Sequence, residues 1–82
     1  MIDITMPEMG EGVTQATVAS WRVAPGERFE AGAILVEVMT DKIAIDVPAE
    51  TAGRLLEVLA GPEAEVRIGA VLGRYVEEAA HG

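Results

Sequence analysis

Apolar and polar positions alternate along this chain over short stretches, and glycine or proline closes nearly every one. Ile2-Asp3-Ile4-Thr5-Met6 alternates and is stopped by Pro7, which predicts a first strand. A glycine-punctuated segment, Pro7-Glu8-Met9-Gly10-Glu11-Gly12, follows as a loop. Residues 13–23 resume strand character, with Val13, Ala16, Val18 and Trp21 as the apolar contributors. Pro25-Gly26 has the residue order of a type II turn. Phe29 and a turn at Ala31-Gly32 then lead into a central pair of β-branched runs, which ends at Pro48. Beyond a short loop closed by Gly53, strands are predicted over 55–59, around Val66 and Ile68, and over 71–76.

The central stretch, residues 35–48, fixes its own register. With Asp41 and Lys42 as the two central residues of a hairpin, Thr40 faces Ile43, Val38 faces Ile45 and Val36 faces Val47 on one side of the ribbon. Met39 with Ala44 and Glu37 with Asp46 occupy the other side. One face is therefore apolar or β-branched and the other is mixed and wet. The arrangement puts one lysine at the outermost point. The other basic side chains (Arg22, Arg28, Arg54, Arg67 and Arg74) are all arginine. An arginine serves a surface ion pair as well as a lysine does, but it is not an amine nucleophile at ordinary pH.

The two halves of the chain resemble each other at an offset of 37 residues: Val18 maps to Leu55, Pro25 to Pro62, Phe29 to Val66, Gly32 to Gly69, Leu35 to Leu72 and Val38 to Tyr75. Neither unit can bury a face alone, but packed together they form a closed two-layer core. About eight short strands between Gly and Pro turns make the fold all-β, a flattened barrel or sandwich.

Eighty-two residues suit one small domain, and half of them are hydrophobic. There is no cysteine, hence no disulfide framework and no protein thiol chemistry. The formal net charge of −8 argues against nucleic acid and against anionic membranes as partners. No run approaches the roughly 20 apolar residues of a membrane span. The single histidine, His81, lies in the tail, so zinc-type ligand clusters and a serine triad around Ser20 are both excluded. The Glu37–Asp46 carboxylates, like Glu63, Glu65, Glu77 and Glu78, read as solvated charges, while Trp21 and Phe29 read as core. The segment after the first strand is not a phosphate cradle, for it lacks the P-loop lysine and has the wrong charge. The chain contains no self-sufficient catalytic site.

Several motifs carry a family resemblance. Met6-Pro7-Glu8-Met9-Gly10-Glu11-Gly12-Val13-Thr14, then Trp21, Pro25-Gly26-Glu27, Val36-Glu37-Val38-Met39-Thr40-Asp41-Lys42 and Val47-Pro48-Ala49 closely resemble the lipoyl domain of the dihydrolipoyl acyltransferases (E2) of 2-oxoacid dehydrogenase complexes. The match runs over about residues 2 to 76, leaving 1–76 as the domain and 77–82 as the start of a flexible linker or tail. The resemblance implies a barrel-sandwich hybrid of two four-stranded antiparallel sheets related by a pseudo-two-fold. It also implies that Lys42 is amidated by lipoic acid, attached by a lipoate ligase or lipoyl transferase. Thr40, Asp41 and Ile43 would set the turn that presents the amine. The loop Glu8, Met9, Gly10, Glu11, Gly12, Val13 and Thr14 would contact the thiamine-diphosphate decarboxylase (E1), with a plain solvated loop as the other reading.

In the implied cycle the decarboxylase reductively acylates the dithiolane. The acyl group then passes to coenzyme A at the E2 catalytic core, and a flavoprotein dihydrolipoyl dehydrogenase (E3) reoxidises the dithiol. The cofactor supplies the chemistry and the domain, a non-catalytic monomer, carries it. The implied setting is the bacterial or archaeal cytoplasm or the mitochondrial matrix. Departures from the family pattern are Gln15-Ala16 where many relatives have Glu-Gly, and Gly61-Pro62-Glu63 in place of the more usual Glu-Gly-Asp. Val38-Met39-Thr40-Asp41-Lys42 looks most like branched-chain-type E2 chains. Two alternatives stay open. One is a biotin carrier domain of the same fold, whose tip normally reads Met-Lys-Met where this chain has Asp41 and Ile43 around the lysine; the other is an unmodified β-barrel interaction module.

Overall fold

The alternating stretches become eight strands: β1 (Ile2–Thr5), β2 (Gln15–Trp21), β3 (Arg28–Phe29), β4 (Ile34–Met39), β5 (Ala44–Pro48), β6 (Gly53–Val58), β7 (Glu65–Arg67) and β8 (Val71–Glu77). The computed structural model describes residues 1–78, and no helix among them is long and apolar enough to cross a membrane. The strands form two antiparallel sheets of four, ordered β1-β8-β6-β3 and β5-β4-β2-β7. Exchanging the two halves of the chain carries one order onto the other. The irregularities repeat too: a bulge between Val18 and Ser20 in β2 has its counterpart between Leu55 and Glu57 in β6. The expected barrel-sandwich of two related sheets is the fold observed.

Between the sheets lie Met6, Val18, Leu35, Val36, Val38, Leu55 and Leu72, all but inaccessible to water. Each such aliphatic side chain is worth about 1.5–3 kcal/mol of burial. Alternation alone puts Leu35 on the wet side of β4, beside Glu37. It is buried instead, because the β4–β5 register slips between Ile34 and Val36 and turns two successive side chains inward. Phe29 packs edge-on against Tyr75, with ring centroids 5.1 Å apart. Trp21 is half-buried; its indole N–H donates to the Ala60 carbonyl at 2.7 Å, and its ring covers Gly73 of the opposite sheet. A Cβ at Gly73 would stand 2.7 Å from the Glu57 carbonyl oxygen and 2.9 Å from the Trp21 ring, so only glycine fits beneath the indole.

The folded part runs further than the sequence boundary at 76. Glu77 belongs to β8, and Glu78 is not a loosely solvated charge: its amide donates to the Ala52 carbonyl at 3.0 Å. Its carboxylate accepts hydrogen bonds from Arg54 at 2.9 Å and Arg28 at 3.0 Å. The remainder of the expected tail, 79–82 with His81, lies outside the described residues. Arg74 bridges Asp3 and Glu57 at 3.0 and 3.1 Å on the outer face of the same sheet.

Candidate functional site

The β4–β5 hairpin has the register its pattern predicts: Val36 opposite Val47, Glu37 opposite Asp46, Val38 opposite Ile45 and Met39 opposite Ala44. Two-residue hairpin turns usually require positive φ at their central residues. Among the described non-glycine residues only Glu63 has positive φ, so Asp41 and Lys42 stay outside the left-handed region. The turn closes by other means. The Thr40 amide donates to the Ile43 carbonyl at 2.8 Å, and the Thr40 hydroxyl oxygen accepts the amides of both Lys42 and Ile43 at 3.2 Å. A threonine at the first position of a turn can act in this way, which is the signal by which its role is legible in sequence.

Asp41, Lys42 and Ile43 are exposed. Among the described residues no ion pair or side-chain hydrogen bond engages the Lys42 amine. Arg28, Arg54 and Arg74 are tied to acids on the β1-β8-β6-β3 sheet, and Arg22 sits 3.5 Å from Glu37. Glu8, Glu11 and Asp41 have no such partner among the described residues.

The loop after β1 folds back beside the hairpin tip. A cleft of ≈ 460 Å³ separates them, with residues 40–43 on one wall and residues 9–11 and 13–15 on the other. Of the loop residues proposed from sequence, Met9, Gly10, Glu11, Val13 and Thr14 line it, while Glu8 and Gly12 do not. Met9 is no free partner-facing side chain: only 4% of it is exposed, and it belongs to the core. Gln15, which the sequence marks as a departure from the family pattern, lines the cleft as well.

This loop is where the two halves differ most. Gly32 and Ala33 exchange hydrogen bonds with Ala49 as Gly69 and Ala70 do with Met6, so Met6 and Ala49 are equivalent. Nine residues then separate Met6 from Ala16, whereas three separate Ala49 from the equivalent Gly53. The long connection lies at the lysine end. The short one lies at the other end, where Ala52 receives the amide of Glu78. The lysine and the ends of the described chain thus occupy opposite ends of the sandwich.

The arrangement presents a free, exposed primary amine on a two-residue turn braced by a hydroxyl. Its geometry fits covalent attachment of an acyl cofactor by an outside enzyme. Among the described residues no group of three or more His, Cys, Asp or Glu is disposed to hold a metal ion.

Comparison with known proteins agrees with this architecture. The family model described as biotin-requiring enzyme matches residues 2–74. The acetyltransferase component of the pyruvate dehydrogenase complex of Corynebacterium glutamicum is 42% identical over 88% of the chain, which spans 11% of that protein. The lipoamide acyltransferase component of the branched-chain alpha-keto acid dehydrogenase complex of Bacillus subtilis is 33% identical over 95% of the chain, which spans 18% of it. The solution structure of the lipoyl domain of the 2-oxoglutarate dehydrogenase complex from Azotobacter vinelandii superposes with a TM-score of 0.80 at 32% identity, covering 98% of this chain and 100% of that one. The three parent complexes differ in their 2-oxoacid, so the similarity does not single out the branched-chain type. Sheet order, duplicated halves and these likenesses together place the chain in the biotin- and lipoyl-attachment domain family, and within it among the lipoyl domains of 2-oxoacid dehydrogenase acyltransferases.

Proposed function

We propose that Lys42 is the site of amidation by lipoic acid. The domain then serves as the swinging carrier between an E1 decarboxylase, an E2 catalytic core and an E3 flavoprotein, in a bacterial or archaeal cytoplasm or a mitochondrial matrix. The observation that carries this reading is the exposed, unengaged Lys42 amine at the hairpin tip, in a chain whose arginines Arg22, Arg28, Arg54 and Arg74 are committed to ion pairs. The bound dithiolane supplies the acyl- and electron-accepting chemistry.

The chain's own residues do the presenting. Thr40 holds the turn through two amides, and the buried Val36 and Val38 fix the hairpin base to the core. A rigid base keeps the amine where a modifying enzyme can reach it. Because Ile2 and Glu78 sit at the far end, a chain continuing from either terminus leaves the tip unobstructed. Tethering at that end raises the arm's effective concentration at each partner site. The domain itself is non-catalytic in this scheme, and Glu8, Gly10, Glu11, Gly12, Val13 and Thr14, with Asp41, form the surface an E1 partner reads.

The test is incubation with lipoate ligase followed by intact mass. The native chain gains one lipoyl group and Lys42→Arg gains none, while its Trp21 fluorescence melting curve is unchanged. A lipoyl adduct on Lys42→Arg overturns the assignment. An avidin-binding adduct formed with biotin ligase, in place of a lipoyl one, points to the biotin carrier.

A further inference from the structure

We infer that Met39 is a peroxide-sensitive modification site, and that its sulfoxide closes the hairpin tip to the enzyme that loads Lys42. The second half of this statement rests on Lys42 being the lipoylated residue; the first half does not.

The chain has four methionines. Met6 and Met9 are 1% and 4% exposed, so the core shields their thioethers, whereas Met39 is 41% exposed. Met1 is exposed too, but it precedes β1 at the far end of the sandwich. Met39 closes β4, on the opposite side of the strand from the buried Val38. Its cross-strand neighbours are Thr17 and Ala44, both too short to cover a thioether side chain. It lies in an open groove of ≈ 430 Å³ that Asp41 and Glu65 also line. A small neutral oxidant such as hydrogen peroxide reaches it there. The sulfur lone pair takes one oxygen atom from the peroxide; the O–O bond breaks, an S–O bond forms and water leaves. The thioether gives up two electrons and the peroxide gains them.

The consequence follows from where Met39 stands. It directly precedes Thr40, whose hydroxyl closes the Lys42 turn. Ile43, 43% exposed, directly follows the lysine and lines the cleft on the loop side. Met39 lines the groove on the outer face of the β5-β4-β2-β7 sheet. The tip thus offers one uncovered apolar side chain on either side of the amine. An enzyme acting on Lys42 must hold a protruding ribbon, and apolar contact on both faces fixes that ribbon against rotation. Oxidation turns the flexible apolar group into a polar, chiral one, so one side of the grip carries a desolvation cost. The change is reversible, because sulfoxide reductases restore the thioether from either epimer. Loading thereby becomes sensitive to oxidant while the fold, whose core methionines are shielded, stays intact.

The experiment treats the unmodified chain with hydrogen peroxide, removes the peroxide, maps the peptides by mass and adds lipoate ligase. Expected is one added oxygen at Met39, with Met6 and Met9 unchanged and a native Trp21 fluorescence melting curve. The kcat/KM of lipoylation should fall several-fold, and methionine sulfoxide reductases of both epimer specificities should bring it back. Met39→Leu removes the thioether and keeps apolar bulk; its own rates before and after peroxide should be equal, which separates Met39 from Met1. Oxidation of Met6 or Met9 ahead of Met39 overturns the site. A Met39 sulfoxide lipoylated at the untreated rate overturns the gate, as does a loss of rate in peroxide-treated Met39→Leu. A lowered melting curve after oxidation makes the loss structural and overturns the gate as well. If the untreated chain gains no lipoyl group, the carrier reading fails and the gate falls with it, while the peptide map still decides the oxidation site.

Discussion

The hydroxyl oxygen of Thr40 accepts the amide hydrogen of Lys42, two residues along, at 3.2 Å, and with it that of Ile43. The turn holding the lysine is thus closed by a side chain, without the positive φ values that two-residue hairpins ordinarily use. Thr40→Val keeps the branched shape and deletes the acceptor. At an exposed tip water replaces part of the loss, so the global stability should fall by less than about 1 kcal/mol. Lipoylation efficiency, read as kcat/KM of the ligase, should fall several-fold because the amine is less well placed, and Thr40→Ser should restore it. Unchanged kcat/KM in Thr40→Val would show that the ligase does not depend on this brace.

Gly26 and Glu63 occupy equivalent turns in the two halves, and both hold positive φ, 91° and 71°. Ala24 accepts the amide of Glu27 in the first turn as Gly61 accepts that of Ala64 in the second. Glycine takes this conformation freely, whereas a residue with a Cβ pays about 1–2 kcal/mol for it. Glu63→Gly relieves that strain and gives back about 0.4–1 kcal/mol through the looser unfolded chain. The variant should be more stable by up to about 1 kcal/mol in urea unfolding followed by Trp21 fluorescence. Gly26→Glu should be destabilised in the same assay.

Gly73→Ala probes the contact between the sheets. The added methyl would meet the Glu57 carbonyl oxygen at 2.7 Å, and backbone cannot step aside as a flexible side chain can. The expected loss is about 1–3 kcal/mol, with a red-shifted Trp21 emission as the indole lifts away. An unshifted spectrum with full stability would mean that the sheets move apart without resistance.

Hydrogen bonding from Arg54, followed by the attraction of its charge and the contribution of Arg28, holds the Glu78 carboxyl below the usual carboxylate range despite an opposing desolvation effect. A lowered folded-state pKa gives stability that is present above the unfolded value of about 4.3 and is lost as the pH falls through the folded value. Glu78→Gln should therefore melt lower than the native chain at neutral pH, and the gap should close as the pH falls below the usual carboxylate range and through the lowered folded value. Parallel melting curves across that range would show that the clamp adds nothing to stability.

The register of β4 on β5 was legible in the sequence because a period of two leaves Val36, Val38, Ile45 and Val47 one common face, and slipping by one residue would expose them all. The 37-residue repeat likewise announced two matching sheets, since residue types that bury a face once do so again when duplicated. Exposure of Lys42 followed from the same local logic: a hairpin tip has no layer above it. What the sequence by itself determined is the set of strands, their pairing at the tip and the lone amine held there. Only the tertiary structure decided that Leu35 turns inward at a bulge, that Met9 is core rather than surface, that Glu78 is clamped by arginines distant in sequence, and that the loop after β1 forms a cleft with the lysine. Alternation is a property of neighbours along the chain and can be read from them. These four features depend on which distant segments meet, and that is settled only when the two halves close over a shared core.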